Sequence, residues 1–346
     1  MKIQFRSDYC EGAHQRIIDA LTRTNMVQTP GYGEDEYCDR ARELILKACG
    51  KEDAKVHFLV GGTQTNVTVI STILRPHQGV VCAATGHINI HETGAVEHSG
   101  HKALALPHRD GKISAEQIEK AVLDHRSDPS FEHMVQPGMV YISFPTERGT
   151  IYSKAELQDI AQVCRKYSLP LFIDGARLGY GLTCDGCDLT LKDIASLADV
   201  FYIGGTKQGA LFGEAVVFSS PALERDFRYL IKQNGGMLAK GRLLGIQFAA
   251  LFEDSLYFDI ARQANEKAAR IRRILENKGV GFLVQSPTNQ LFPILPDDTL
   301  RTLSEEFEFE VWEKTEDGRI AIRICTSWGT RDDAVDRLCA ALERLL

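Results

Sequence analysis

Lys207, set among glycines after an apolar run, is the residue of this chain best suited to act as a nucleophile. In Gly204-Gly205-Thr206-Lys207-Gln208-Gly209-Ala210, two glycines before the lysine and one after it allow a tight turn and close approach to a ligand. The preceding Val200-Phe201-Tyr202-Ile203 reads as a buried strand. Lys207 would then stand at the mouth of an apolar sheet, where poor hydration lowers the amine pKa and favours the neutral form. A glycine-rich turn with a solvated lysine fits the local residues equally well. The second candidate is Asp174, which ends the run Leu171-Phe172-Ile173. A carboxylate there is costly without a cationic partner. Arg177, three residues on, is one possible partner. The protonated ring nitrogen of pyridoxal phosphate (PLP) is another, and that proton lets the ring act as an electron sink.

Three further segments carry usable chemistry. Val60-Gly61-Gly62-Thr63-Gln64-Thr65-Asn66 joins a strand to a helix, and free N–H groups at such a helix start suit a phosphate. It is neither a Walker loop nor a Gly-x-Gly-x-x-Gly loop, and a plain turn remains the competing reading. His87, in Ala84-Thr85-Gly86-His87-Ile88-Asn89, could stack on a cofactor ring and exchange protons. His87, His91, His98 and His101 crowd together, which raises a metal-hydrolase reading. However, no histidine follows Glu92 at zinc-protease spacing, and no metal is expected. In Ile320-Ala321-Ile322-Arg323-Ile324-Cys325, strand alternation sets Arg323 between small Ala321 and Cys325. That leaves room for a guanidinium to grip a carboxylate; an exposed arginine on an edge strand is the alternative. Cys184-Asp185-Gly186-Cys187 has neither a second pair for zinc nor a thioredoxin-like setting.

Strand–helix alternation must position these residues. Strands are predicted at Val56–Val60, Gly79–Ala83, Met139–Phe144, Leu169–Ile173, Val200–Ile203 and Ala215–Phe218. A helix is predicted over Asn66–Leu74, and another should open at the Ser153-Lys154-Ala155-Glu156 capping box and reach about Tyr167. The pattern predicts a mostly parallel α/β sheet. Past about residue 255 it becomes a smaller α+β lobe: a helix over 261–278, a strand over 290–295, a helix over 299–307, a hairpin turning at Asp317-Gly318, and a final helix over 332–346. The 346 residues suit two lobes. A net charge of −7 without basic runs excludes a nucleic-acid footprint. No apolar stretch is long enough to span a bilayer. Nine scattered cysteines read as reduced thiols, so a cytoplasmic enzyme with a small-molecule substrate and no membrane partner is expected.

Taken together, the chain resembles the threonine aldolase family, PLP enzymes of fold type I (aspartate aminotransferase-like) in the β-eliminating lyase group. The residues carrying the resemblance are Arg6-Ser7-Asp8, Gly31-Tyr32-Gly33 with Asp35, Gly62-Thr63-Gln64-Thr65-Asn66, and His87 with Glu92. They continue through Asp174-Gly175-Ala176-Arg177, Gly205-Thr206-Lys207 with Gly213, Gly235-Gly236-Met237, and Arg323. The resemblance implies a large PLP domain over 1–250, with an N-terminal arm over 1–15, and a small domain over 251–346. Lys207 would carry PLP covalently, with Asp174 at the ring nitrogen and Arg177 at the ring hydroxyl. Gly62, Thr63 and Thr206 would hold the phosphate, and His87 would stack on the ring. Ser7 and Arg323 would bind the substrate carboxylate, and Tyr32 would complete the site of a neighbouring subunit in a homotetramer or dimer. The implied reaction is aldol cleavage of an L-threonine or L-allo-threonine type amino acid to glycine and an aldehyde; β-elimination and transamination are the alternatives. The chain departs from the family pattern at Glu147, where a histidine near the β-hydroxyl is expected, and at Leu238, where an arginine is expected, with Lys240 nearby. His87 and Glu147 are therefore the candidates for the base.

Overall fold

The computed structural model describes residues 2–315 and 318–346. Its largest sheet has seven strands in the spatial order Lys55–Leu59, Glu214–Phe218, Val200–Gly204, Leu171–Asp174, Gln136–Ser143, Gln78–Ala83, Ala103–Leu106. Neighbours run parallel except around Glu214–Phe218, which is antiparallel to both strands beside it. The four strands spanning 171–174, 200–204, 214–218 and the end of 136–143 are buried on both faces, as their unbroken apolar runs predict. Alternation sorts their side chains into two cores. Ile142, Ile173, Phe201, Ile203 and Val217 enter one; Tyr141, Phe172, Tyr202 and Val216 enter the other, with Val69 and Ile70 of the helix Gly62–Ile73.

The predicted strands all form, within one to three residues of their expected ends. The edge strand Ala103–Leu106 was not legible; it is four residues long and only partly buried. The helix Lys154–Tyr167 begins at the expected capping box, in which Ser153 and Glu156 each accept a hydrogen bond from the other's backbone N–H.

Beyond the sheet, Ile320–Cys325 is the central strand of a small antiparallel sheet. It pairs with Glu310–Lys314 on one side and with Gln290–Leu291 and Ile294–Leu295 on the other. The single strand expected over 290–295 is interrupted at Pro293, which has no N–H to give the ladder. Helices Leu256–Asn277, Asp297–Glu306 and Asp332–Leu345 complete this part. The hairpin turn expected at Asp317-Gly318 includes Asp317, which lies outside the described residues. The N-terminal residues Ile3–Gln4 pair in parallel with Phe307–Glu308, and Phe5 joins the core of the small sheet.

The arrangement brings the chemistry to one edge. The strands ending at Leu59, Ala83, Ser143, Asp174 and Gly204 all release their following turns at the same carboxyl end, where ligands of open α/β sheets bind. The reversed strand brings its first residue, Glu214, to that same edge, opposite Leu59 on one side and Gly204 on the other.

Candidate active site

Asp174, last in its strand, is almost fully buried. Its Oδ2 accepts hydrogen bonds from the Tyr141 hydroxyl at 2.5 Å and from Asn66 Nδ2 at 3.1 Å. Its Oδ1 accepts from the Tyr202 hydroxyl and from the backbone N–H of Ala176. Burial alone would raise the carboxyl pKa, but the nearby His87 imidazole and the two tyrosine hydroxyls outweigh it and hold Asp174 below the usual carboxylate range. The carboxylate is therefore ionised, and the alternative of an ion pair within its own turn is excluded. Asp174 is not ion-paired with Arg177. Arg177 donates through Nε and Nη2 to both oxygens of Asp8, at 2.6 and 2.9 Å, and Asn289 supports the same Asp8 carboxylate.

This pair fixes the N-terminal arm against the site. Burial works against both charges, but Asp8 is lowered by Arg177 together with Lys207 and Asn289, and Arg177 is raised chiefly by Asp8. Asp8→Ala should cost about 3–5 kcal/mol, because it strands a buried guanidinium. Urea unfolding checks this, and a loss below about 1 kcal/mol would contradict it. Since the folded-state pKa of Asp8 is depressed, its contribution is full above the unfolded pKa of about 4 and fades as pH falls through the folded value.

Lys207 follows the strand Val200–Gly204, and its amine has no hydrogen bond or ion pair among the described residues. Burial first, then the Arg177 charge, lowers its pKa, although Asp8, Asp174 and Glu214 pull the other way. The glycines around it are required by crowding rather than by open space. A Cβ on Gly204 would lie 2.3 Å from the Ala176 carbonyl oxygen, and one on Gly205 2.7 Å from that of Gly213. The lysine turn is thus packed directly on the Asp174 turn, and a solvated surface lysine is not what the structure contains.

A cavity of ≈ 350 Å³ is lined by Gly61, Gly62, Thr63, Asp174, Lys207 and Glu214, among others. A second, of ≈ 840 Å³, shares His87, Glu147, Arg177 and Lys207 with it and extends to Ser7, Trp312 and Arg323. Gly61 precedes the helix Gly62–Ile73 without any side-chain cap, so the first N–H groups are free to meet an anion. Thr206 lines the smaller cavity, but its hydroxyl is engaged: it donates to Glu214 Oε1 at 2.9 Å and accepts from the Gly213 N–H.

His87 Nδ1 lies 2.7 Å from Glu92 Oε1, and Asn66 donates to the same oxygen. A chain of contacts therefore runs from His87 through Glu92 and Asn66 to Asp174. Glu147 accepts from the Ser143 hydroxyl at 2.5 Å and from the His87 backbone N–H at 2.9 Å. Burial, with Asp174 adding to it, raises the Glu147 pKa. Arg323 is buried, not exposed on an edge. It donates to the Arg6 carbonyl, lies over the Trp312 ring at 5.1 Å, and keeps Nε unpaired. Ser7 is buried beside Cys10, Oγ to Sγ 3.2 Å. The crowded histidines do not converge: His101 Nδ1 contacts the Gln78 carbonyl, and no three His, Cys, Asp or Glu among the described residues are grouped to share a metal. Tyr32 lines neither cavity. It sits in a separate hollow with Arg228, Tyr229, Lys232 and Met237, and Lys240 is exposed.

Tyr141, Tyr202 and Glu214 escaped the sequence reading, and Asp8 and Asn66 entered it only as parts of motifs, with no role assigned. The tyrosines carried one signal, since a hydroxyl inside an all-apolar strand needs a buried partner.

A family model described as beta-eliminating lyase matches residues 4–295. The chain belongs to the beta-eliminating lyases. A solved threonine aldolase of Leishmania major is 45% identical over 99% of both chains, with a TM-score of 0.96. A low specificity L-threonine aldolase of a Pseudomonas strain is 29% identical over 99% of this chain and 98% of the relative. An aspartate aminotransferase mutant of Thermus thermophilus, only 13% identical, superposes with a TM-score of 0.73 over 100% of this chain and 92% of that one, which shows the fold. This beta-eliminating lyase therefore has the aspartate aminotransferase-like architecture of a family of PLP-dependent enzymes, and it is a lyase of the threonine aldolase kind.

Proposed function

We propose that the chain binds PLP on Lys207 and cleaves a β-hydroxy-α-amino acid, of the L-threonine or L-allo-threonine type, to glycine and an aldehyde. The observation that carries this reading is a buried, unpaired lysine with a lowered pKa and a buried, hydrogen-bonded aspartate facing one cavity with an uncapped helix start. These groups fit the cofactor's aldehyde, ring nitrogen and phosphate respectively. When bound, PLP supplies an electron-poor ring that takes up the electron pair left at Cα as the Cα–Cβ bond breaks.

The chain's own residues do the rest. The amine of Lys207, poorly hydrated and unpaired, would hold the cofactor covalently and, once free of it, would hold or return a proton at Cα. Asp174 keeps the ring nitrogen protonated, steadied by Tyr141, Tyr202 and Asn66. Gly62, Thr63 and Thr206 hold the phosphate. Arg177, braced by Asp8, would contact the ring hydroxyl. Arg323, which lines the larger cavity, would offer its guanidinium to the substrate carboxylate with Ser7 beside it, orienting the Cα–Cβ bond. His87, its Nδ1 fixed on Glu92, would lie against the cofactor ring. Either Glu147, whose raised pKa makes its ionised form a stronger base, or His87 would take the β-hydroxyl proton.

Tyr32, outside its own chain's cavities, belongs in this reading to a neighbour's site, so the working unit is a homodimer or homotetramer. The domain division at 250/251 is part of the same reading. It is supported by the helix Leu256–Asn277, which gives Ala261 and Ala264 to a cluster with Tyr180 and then Ala268, Ile271 and Leu275 to the small-lobe core. Nine unpaired thiols support a cytoplasmic setting. Among the described residues, no helix is long and apolar enough to cross a membrane.

Product analysis tests the reaction. With L-threonine and L-allo-threonine, glycine and acetaldehyde should form in equal amounts, whereas ammonia with a 2-oxo acid would replace this reading by β-elimination.

A further inference from the structure

Glu214 sits in a place where a carboxylate should be a liability. Its strand register puts it opposite Leu59, whose strand leads into the Gly61–Gly62 turn, and opposite Gly204, which leads into the Lys207 turn. It is almost fully buried and lines the smaller cavity beside Gly61, Gly62 and Thr63. That cavity's only lysine and arginine are Lys207 and Arg177, and Arg177 is already committed to Asp8. A phosphate held there by backbone N–H groups and hydroxyls would face an ionised Glu214 across a low-dielectric gap, and two like charges so placed repel.

The hydrogen bonds offer a resolution. Glu214 Oε2 accepts from the Gly205 N–H at 3.1 Å, and Oε1 is 2.9 Å from Thr206 Oγ1, which also accepts from the Gly213 N–H. A threonine hydroxyl has one proton to donate and two lone pairs with which to accept. If Glu214 is ionised, Thr206 must spend its single proton on Glu214. If Glu214 is neutral, Oε1–H donates to Thr206, whose second lone pair receives it, and the Thr206 proton is free for the cavity.

Resting on the PLP reading above, we propose that Glu214 is a positioning residue that works as a neutral acid: its proton turns the Thr206 hydroxyl toward the cofactor's phosphate, and cofactor retention weakens as pH rises and that proton is lost. The groups facing Glu214 are Thr206 and Lys207 on the lysine turn, Asp174 on its strand, and Tyr202 and Tyr257. Burial dominates them. It pushes Glu214 up to about 8, with Asp174 raising it and Lys207 and the Thr206 hydrogen bond opposing. The sign follows from linkage. A bound phosphate raises the Glu214 pKa further, so binding takes up a proton above about pH 8, and affinity falls about tenfold per pH unit there.

The test uses the full chain freed of cofactor and two probes without an aldehyde, pyridoxine 5′-phosphate and pyridoxine, so that Lys207 chemistry does not intervene. Dissociation constants by calorimetry at pH 7.0 and 9.5 give, from the ratio of the two probes, the contribution of the phosphate alone. In the wild type this ratio should shrink by about tenfold or more at pH 9.5. In Glu214→Gln, whose amide can donate to Thr206 while its oxygen accepts from Gly205, the ratio should stay within about threefold between the two pH values. A wild-type ratio that does not change with pH, or a Glu214→Gln ratio that falls as in the wild type, overturns the role of Glu214 and leaves the cofactor reading standing. Pyridoxine 5′-phosphate failing to bind at either pH overturns the cofactor reading and this proposal with it.

Discussion

Lys207→Ala is expected to abolish the near-visible absorbance of the bound cofactor and to reduce threonine cleavage by more than about 10³-fold. The size of the effect follows from the two tasks assigned to one amine. It forms the covalent attachment, and it handles the Cα proton, a kind of transfer that alone contributes about 10²–10⁴-fold. Stability should change little, since the amine has no hydrogen bond or ion pair to lose and the turn is held by Gly204 and Gly205 against Ala176 and Gly213. Absorbance spectra and steady-state rates on the same preparation check both effects. A variant with the wild-type spectrum and rate would contradict the assignment.

Asp174→Asn is expected to separate the two properties that Lys207→Ala removes together. The amide keeps the size of the carboxylate, although its single oxygen can accept from only one of Tyr141 and Tyr202, which donate to different oxygens of Asp174, and the covalent link to Lys207 does not depend on it. Absorbance should therefore persist. Turnover should fall by about 10²–10³-fold, the scale found when a charge-stabilising group is removed from a preorganised site. The loss should lie in kcat rather than KM, because no substrate contact is altered. A variant that turned over at the wild-type rate would mean that the ring nitrogen finds its anion elsewhere.

What the sequence revealed and what it hid divide along a physical line. Lys207, Asp174 and the Gly61–Thr63 turn were legible because each ends an apolar run, and such ends all emerge at one edge of a parallel sheet. The partners of these residues were not. Asp8 lies 169 positions from Arg177, so only the nearer Asp174 could be weighed as a counterion from the sequence. Tyr141 and Tyr202 reach Asp174 only because their strands flank its own. Glu214 arrives at the site because its strand runs against its neighbours, and nothing in Glu214-Ala215-Val216-Val217-Phe218 announces that direction. Arg323 looked as much like a surface residue as a buried one, because burial depended on whether its strand was an edge; pairing on both sides decided the matter. At Glu147 the residue type differs from the family's usual histidine, yet the side chain still meets the His87 backbone and Ser143.

Treating the holoprotein with borohydride and mapping the modified peptide by mass spectrometry tests the account most directly. It predicts the reduced cofactor on the peptide that contains Lys207, and on no other. Label on a different lysine, or none after saturation with PLP, would contradict it.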